Sequence, residues 1–492
     1  MRPLLLTSGL RSSARRSPDK LAVKAGNDSC TYGALIERID NIKDVAYRLW
    51  SLRAGDTAAI LAPNCIEYYE YISALSEMGV AVATINYRLS APEVARILKD
   101  CGAKMTVFHD SCEPLLPADS VKHKMSDPIP SFEGVATSIA TEEQPYAIPY
   151  TSGTTGHPKG VMVSHRARVM TFYAMASEYQ CFSSGSHFLA IAPLCHGAGF
   201  AFGYAPLFFG GTVEILAQFD AEIVLSTLAE GQVDGVFMVP AHFQTIFNLD
   251  DQLLESVRGK HRLKAIISNA SALPQPVKHK IVGLFGEGLL HETYGSTEGG
   301  IVTNLRPEDQ LRKFNCVGPT FVDTEVSLRD DQGNEVPANT PGELFSRGPA
   351  TFSGYWDNQT ATDEVMKDGW VSVGDIATRD DEGHIYIIDR KKDMIISGGI
   401  NVYPREIENV LIENSTVDEC AVFGIADPRW GETIHCAAVV SGDVSAEHLT
   451  SWLEQHLARF KIPKEFHFVA ELPRNASGKI LKRVLVEQFS VT

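Results

Sequence analysis

The chain has 492 residues, too many for one ordinary hydrophobic core, so roughly two to four domains are expected. Apolar residues make up 44% and charged residues 21%, the balance of a soluble globular protein. A net charge of −17 excludes a general nucleic-acid or anionic-membrane surface, which needs positive charge, but leaves room for a local positive pocket.

The opening MRPLLLTSGLRSSARRSPDK is basic, with no acid before Asp19, and its apolar run is too short for a secretory leader. A cytoplasmic location is expected; a mitochondrial transit peptide is the alternative. Leu35, Ile39, Ile42, Val45, Ala46 and Leu49 recur at helical spacing and predict an amphipathic helix opened near Thr31. GDTAAILAP reads as a strand and CIEYYEYISALSEMGVAVATIN as a helix followed by a strand. SAPEVARILKDCGAKMTVF repeats the alternation, with Ser90 as an N-cap before Pro92. This alternation predicts an α/β fold with a largely parallel sheet. Residues 113–145, rich in Pro, Asp, Ser and Glu, read as surface connection.

The alternation resumes near 147. VDGVFMVPAHFQTIF and LKAIISNASALP read as strands ending in loops, where open α/β sheets bind ligands. From about 314, short Val, Glu, Leu and Phe segments alternate with turns, predicting an antiparallel subdomain. Residues 391–492 read as a small α+β module with helices over PREIENVLIEN and AEHLTSWLEQHLARF. The expected division is therefore 1–390 and 391–492. Nine scattered cysteines, odd in number and without a CxxC pair, predict a reducing compartment with no disulfide framework or cysteine zinc cluster. No stretch reaches the ~18 apolar residues of a membrane span.

The strongest local signal is YTSGTTGHPKG, residues 150–160. Its glycines let backbone approach a ligand, its N–H groups and hydroxyls can cradle phosphate, and Lys159 adds charge. It is not a Walker A loop, because Gly follows Lys159. A plain Gly/Ser/Thr surface loop is the competing reading. Further on, HETYGSTEGG supplies an aromatic face at Tyr294 and an acid at Glu298 that could hold Mg²⁺. In DGWVSVGDIA, Asp375 can accept ribose hydroxyls or be a simple turn aspartate. A Ser152–His196 hydrolase triad is rejected, since no G-x-S-x-G elbow surrounds Ser152. His196 also lacks ligand-spaced partners for a metal.

The Gly-rich stretch resembles the signature loop of the adenylate-forming superfamily of acyl-CoA synthetases, adenylation domains and luciferases. The resemblance runs in order from about residue 15 to 485. It implies a large N-terminal domain of parallel-rich α/β subdomains plus an antiparallel subdomain, with a small mobile C-terminal α+β domain. It implies nucleotide contacts at Thr151, Ser152, Gly153, Thr154, Thr155, Gly156 and Lys159. It adds Asn269, Ala270, Ser271 and Ala272, then Glu292, Thr293, Tyr294, Gly295, Ser296 and Thr297. Mg²⁺ falls on Thr155 and Glu298, and ribose on Asp375 and Arg390. Val373 departs from the usual threonine two residues before that aspartate. Lys392 takes the hinge position, Gly398 and Gly399 the coenzyme A channel, and Lys479 in NASGKILKR the catalytic lysine, alongside Lys159, Thr297 and Glu298. The acyl site is expected at His196, Phe200, Met238, Val239 and Ala270, with Phe188 and Tyr204 as further candidates.

The implied reaction uses ATP, Mg²⁺ and coenzyme A. A carboxylate attacks the α-phosphorus to give an acyl-adenylate and pyrophosphate, and a thiol then releases AMP. An aromatic or short-to-medium aliphatic acid is expected. An enzyme loading a separate carrier protein is the alternative, and an inactive homologue is the other class. A homodimer is allowed, and neither nucleic acid nor a membrane span is expected.

Overall fold

The computed structural model describes residues 3–132, 140–152, 158–397, 400–474 and 480–490. The chain divides into two compact units: 1–326 with 346–371, and 327–345 with 372–492.

Among the described residues, the first unit carries an eight-stranded and a seven-stranded sheet. In the larger, Leu21–Ala25, Thr212–Ile215, His187–Ala190, Gly235–Met238, Ala265–Ser268 and Leu290–Ser296 run parallel, with antiparallel strands only at the edges. In the smaller, Met105–Phe108, Thr57–Leu61, Ala81–Ile85 and Pro145–Ser152 form the parallel centre. These strands are buried on both faces, as parallel strands flanked by helices must be. Val224, Leu228, Phe243 and Ile281 from the covering helices pack on Leu189, Val236, Met238 and Ile266.

The helix Tyr32–Arg48 opens where expected: Thr31 is its N-cap and accepts from Ala34 N at 3.3 Å. Leu35 to Ala46 are buried on its inner stripe, but Leu49 is the C-cap and 59% exposed, because the chain leaves the helix before completing that turn. Ser90 and Glu93 form a capping box with Pro92 in the first turn of Ala91–Cys101. The segment read as surface connection contributes one short strand, Lys122–Lys124, to the sheet edge; residues 133–139 lie outside the described ones.

The second unit is α+β. Val417–Asp427 and Gly431–Val440 form a long antiparallel pair; the free edge of Gly431–Val440 pairs at its start with Ile395–Ser397, itself joined to Ile400–Val402, and further along with Glu465–Phe468. Ile407, Leu411, Leu449 and Leu453 cover it. The second helix is Ala446–Glu454, shorter than the periodicity over 446–460 suggests. His456 N and Leu457 N both bond Leu453 O, tightening the end, and residues 459–461 continue as a 3₁₀ turn before Pro463. Asp375–Arg379 pairs with Ile385–Arg390 in the same unit. The α/β plus α+β class expected from the sequence is the one observed.

Candidate active site

In the first unit, the strand Pro145–Ser152 pairs with Pro158–Gly160, placing Thr151 opposite Lys159. The loop they flank holds Gly153, Thr154, Thr155 and Gly156, which lie outside the described residues together with the side chain of Ser152. The Lys159 ammonium lies over the Tyr355 ring, 4.9 Å from its centroid. The Tyr355 hydroxyl donates to Glu298 Oε1 at 2.8 Å. Glu298 is 8% exposed, and its second oxygen has no hydrogen-bond partner among the described residues. Lys159, Tyr355 and Glu298 are thus one connected group, of which Tyr355 was not anticipated from the sequence.

Glu298 sits in the turn that joins the hairpin strands Leu290–Ser296 and Gly300–Leu305. A Cβ at Gly295 would lie 2.0 Å from Gly300 O, so only glycine lets the two backbones meet there. Ser296 Oγ accepts from Gly299 N at 2.8 Å and holds the turn. Thr293 Oγ1 accepts from Asn269 Nδ2 at 2.7 Å, tying the loop after Ala265–Ser268 to the Tyr294 strand. Ala270 in that loop has φ +81°, a conformation that favours glycine. Ser271 and Ala272 are exposed beside it. Glu292 points inward: it is 5% exposed, accepts from Leu273 N at 3.0 Å and pairs with the buried Lys278 ammonium.

His196 caps the helix Gly197–Phe209, and a Cβ on its neighbour Gly197 would lie 3.7 Å from Thr297. This brings His196 beside the Thr297–Glu298 turn. His196 Nε2 lies 3.4 Å from Asn86 Nδ2. Burial, then the charge of Arg88, lowers its pKa and keeps the ring neutral. Phe200 stacks on Tyr146, centroids 5.4 Å apart. His196, Phe200, Tyr146 and Leu194 line a cavity of about 10 Å³, room for a single water. Phe188 and Tyr204 are fully buried, stacked on Phe182 and Phe172 respectively. Met238 is likewise buried in the sheet–helix core, while Val239 is only partly buried and caps the helix Pro240–Phe247.

In the second unit, Asp375 and Arg390 are opposite residues of paired strands, with Arg390 Nε 3.0 Å from Asp375 Oδ1. Lys391 N donates to Gly374 O at 2.7 Å, and its ammonium pairs with Glu343 and Asp331. Lys392 is exposed at its surface, and desolvation is the largest influence in lowering its pKa. Ser397 and Ile400 pair across Gly398 and Gly399, which lie outside the described residues. Lys479 also lies outside them. The chain on either side is anchored: Arg474 bridges Ile480, and Leu481 N donates to Pro473 O at 2.8 Å.

Among the described residues, one further cluster has metal-ligand side chains: His435, Glu465 and His467. His435 Nδ1 and His467 Nε2 are 3.1 Å apart, with ring planes within 8° and centroids 5.4 Å apart. The nitrogens therefore face each other along the line between the rings. That is the geometry of one N–H···N hydrogen bond, not of two lone pairs converging on an ion.

What the first-unit group can do is hold anions beside an acceptor-only carboxylate. A cation, hydroxyl groups and a Gly-rich segment suit phosphate, and a carboxylate oxygen is a hard donor suited to Mg²⁺.

A family model described as AMP-binding enzyme matches residues 10–356, and one described as AMP-binding enzyme C-terminal domain matches residues 406–479. A feruloyl-CoA synthase from Amycolatopsis sp is 33% identical over 493 residues, covering 97% of each chain. The o-succinylbenzoate CoA synthetase MenE from Bacillus subtilis, solved with its acyl-adenylate OSB-AMP, superposes with TM-score 0.88 at 26% identity over 98% of both chains. The same enzyme has been solved with ATP and magnesium ion, TM-score 0.87. The amide bond synthetase McbA from Marinactinospora thermotolerans gives TM-score 0.86 at 26% identity, covering 98% of this chain and 99% of its own.

Proposed function

The chain belongs to the AMP-binding enzyme family, and from that premise we propose that it joins a carboxylic acid to coenzyme A through an acyl-adenylate, consuming ATP and releasing AMP and pyrophosphate. Its membership makes it an enzyme of the AMP-forming acid–thiol ligase superfamily. The observation that carries the finer reading is the Lys159–Tyr355–Glu298 group: a cation for phosphate oxygens and a carboxylate for Mg²⁺, joined through one ring.

In this reading the Gly-rich segment and Lys159 hold the β- and γ-phosphates. Thr297 contacts the α-phosphate and Tyr294 flanks the adenine, with the Asn269–Thr293 hydrogen bond fixing the loop beside it. Asp375 and Arg390 take the ribose hydroxyls. Glu298, with Thr155, would hold Mg²⁺, which when bound neutralises phosphate charge. Lys479 supplies positive charge between the carboxylate and the α-phosphate as the pentavalent arrangement forms. A neutral His196 lines the acyl site and takes no proton. Rotation about Lys392 then exchanges Lys479 for the Gly398–Gly399 segment, past which the thiol enters. The division at 390/391 belongs to this proposal.

The similarity to the feruloyl-CoA synthase favours an aromatic acid. Nine free cysteines fit a reducing cytoplasm. No helix among the described residues is long and apolar enough to cross a membrane. The similarity to the amide bond synthetase makes an amine the second acceptor to try. The deciding assay offers aromatic and aliphatic acids with ATP and either coenzyme A or an amine, scoring AMP and acylated product. AMP with one class of acid and acyl-CoA as product is expected; no AMP with any acid sinks the reading.

A further inference from the structure

Tyr355 is buried, 7% exposed, yet has its hydroxyl on one charged group and its ring face toward another. Residues 352–356 are stitched to both. Phe352 N donates to the backbone oxygen of Glu298 at 2.8 Å, and Trp356 N donates to Gly160 O at 2.8 Å. Tyr355 itself bridges Val161, and its N–H donates to Thr362 Oγ1 at 2.9 Å. One five-residue stretch therefore fixes the strand of Lys159 and the turn of Glu298 at once.

Resting on the adenylation reading, we propose that Tyr355 is a positioning residue for Mg²⁺·ATP: its hydroxyl orients the Glu298 carboxylate, and its ring holds the Lys159 ammonium at a set distance from it. A carboxylate that ligates a cation binds it better when a donor on the other oxygen fixes its rotation; losing such a donor costs about 10–100-fold in metal affinity. A tyrosine hydroxyl carries its proton at neutral pH, and here it is turned onto Glu298 Oε1, so it is the donor of that bond. If Tyr355 only fills space beside Phe352, whose ring meets it edge-on at 5.2 Å, the hydroxyl is dispensable.

The test uses the full chain with Tyr355→Phe, which keeps the ring and removes the hydroxyl, and Tyr355→Ala, which removes both. ATP binding is measured by calorimetry across a Mg²⁺ series, and melting is followed without nucleotide. Tyr355→Phe should need about tenfold more Mg²⁺ for half-maximal ATP tightening, at a melting point close to wild type. Tyr355→Ala should in addition weaken ATP several-fold in Mg²⁺-free buffer, through Lys159. A Tyr355→Phe chain with the wild-type Mg²⁺ profile overturns the proposal, as does one whose Mg²⁺ shift comes with the same melting loss as Tyr355→Ala. If wild type binds no ATP at any Mg²⁺ concentration, the adenylation reading falls, and this proposal with it.

Discussion

Asp375 and Arg390 face each other across two adjacent antiparallel strands, the guanidinium Nε 3.0 Å from the carboxylate. Asp375 is buried at 4% exposure while Arg390 stays partly open. The pair holds the carboxylate at a fixed angle, the arrangement on which the proposed contact with ribose hydroxyls rests. Asp375→Ala should raise the KM for ATP about 10–100-fold, the worth of charged hydrogen bonds, and leave the KM for the acid nearly unchanged. Steady-state kinetics with each substrate varied separately checks this. An equal rise in both would argue for general damage.

Lys278 and Glu292 form a buried ion pair beneath the Asn269–Leu273 loop, their side chains 2% and 6% exposed. Removing one partner strands the other in a dry site, which costs about 3–5 kcal/mol. Lys278→Met should therefore lower the urea midpoint strongly, and Lys278→Met with Glu292→Leu should recover most of the loss. A single variant as stable as wild type would contradict the pairing.

Ala270 is a non-glycine residue held at φ +81° in the same loop. That region costs an L-residue about 1 kcal/mol or more. Ala270→Gly should stabilise the chain by up to about 1 kcal/mol, the relief of strain exceeding the entropy that glycine loses. Chemical denaturation measures it. A less stable variant would show that the Ala270 methyl packs.

Burial pushes His165, His242 and His291 down to about 4. His165 Nδ1 accepts from Leu6 N at 3.0 Å, a bond that only the neutral ring can make. In the unfolded chain these rings titrate near the ordinary histidine value of about 6.5, so between pH 4 and 6.5 the unfolded state binds more protons. Stability is complete above that window and falls as pH falls through it, by about 1.4 kcal/mol per pH unit for each ring. Glu70 opposes this. Burial raises it to about 7, so its protonated form is favoured in the fold, and it gains stability as pH drops. Three groups against one leaves a net loss. The urea midpoint should fall clearly between pH 6.5 and 4.5; a flat profile would contradict it.

The class of fold was legible because its cause is local. Helical spacing alternating with apolar runs dictates parallel strands covered by helices, and Thr31 and Ser90 mark helix starts by their own hydrogen bonds. The ends were less legible: Leu49 and the tail of Ala446–Glu454 keep the spacing after the helix has stopped. Tyr355 could not be found by pattern. FSGYWDN carries no charge pattern or periodicity near it, and its bond to Glu298 spans 57 positions. The glycine before it was the one signal available, and Gly354 does take φ +121°, a conformation that favours glycine. Met238 shows the reverse: it sits at the end of a strand, where ligands bind, but its side chain packs into the core.

The most direct test of the two-step account is Lys479→Ala, assayed for each half-reaction on its own. Adenylate formation, followed by pyrophosphate release with a productive acid, should fall about 100-fold or more. Thioester formation from supplied acyl-adenylate and coenzyme A should stay near the wild-type rate. Equal loss in both half-reactions, or none in the first, would contradict the account.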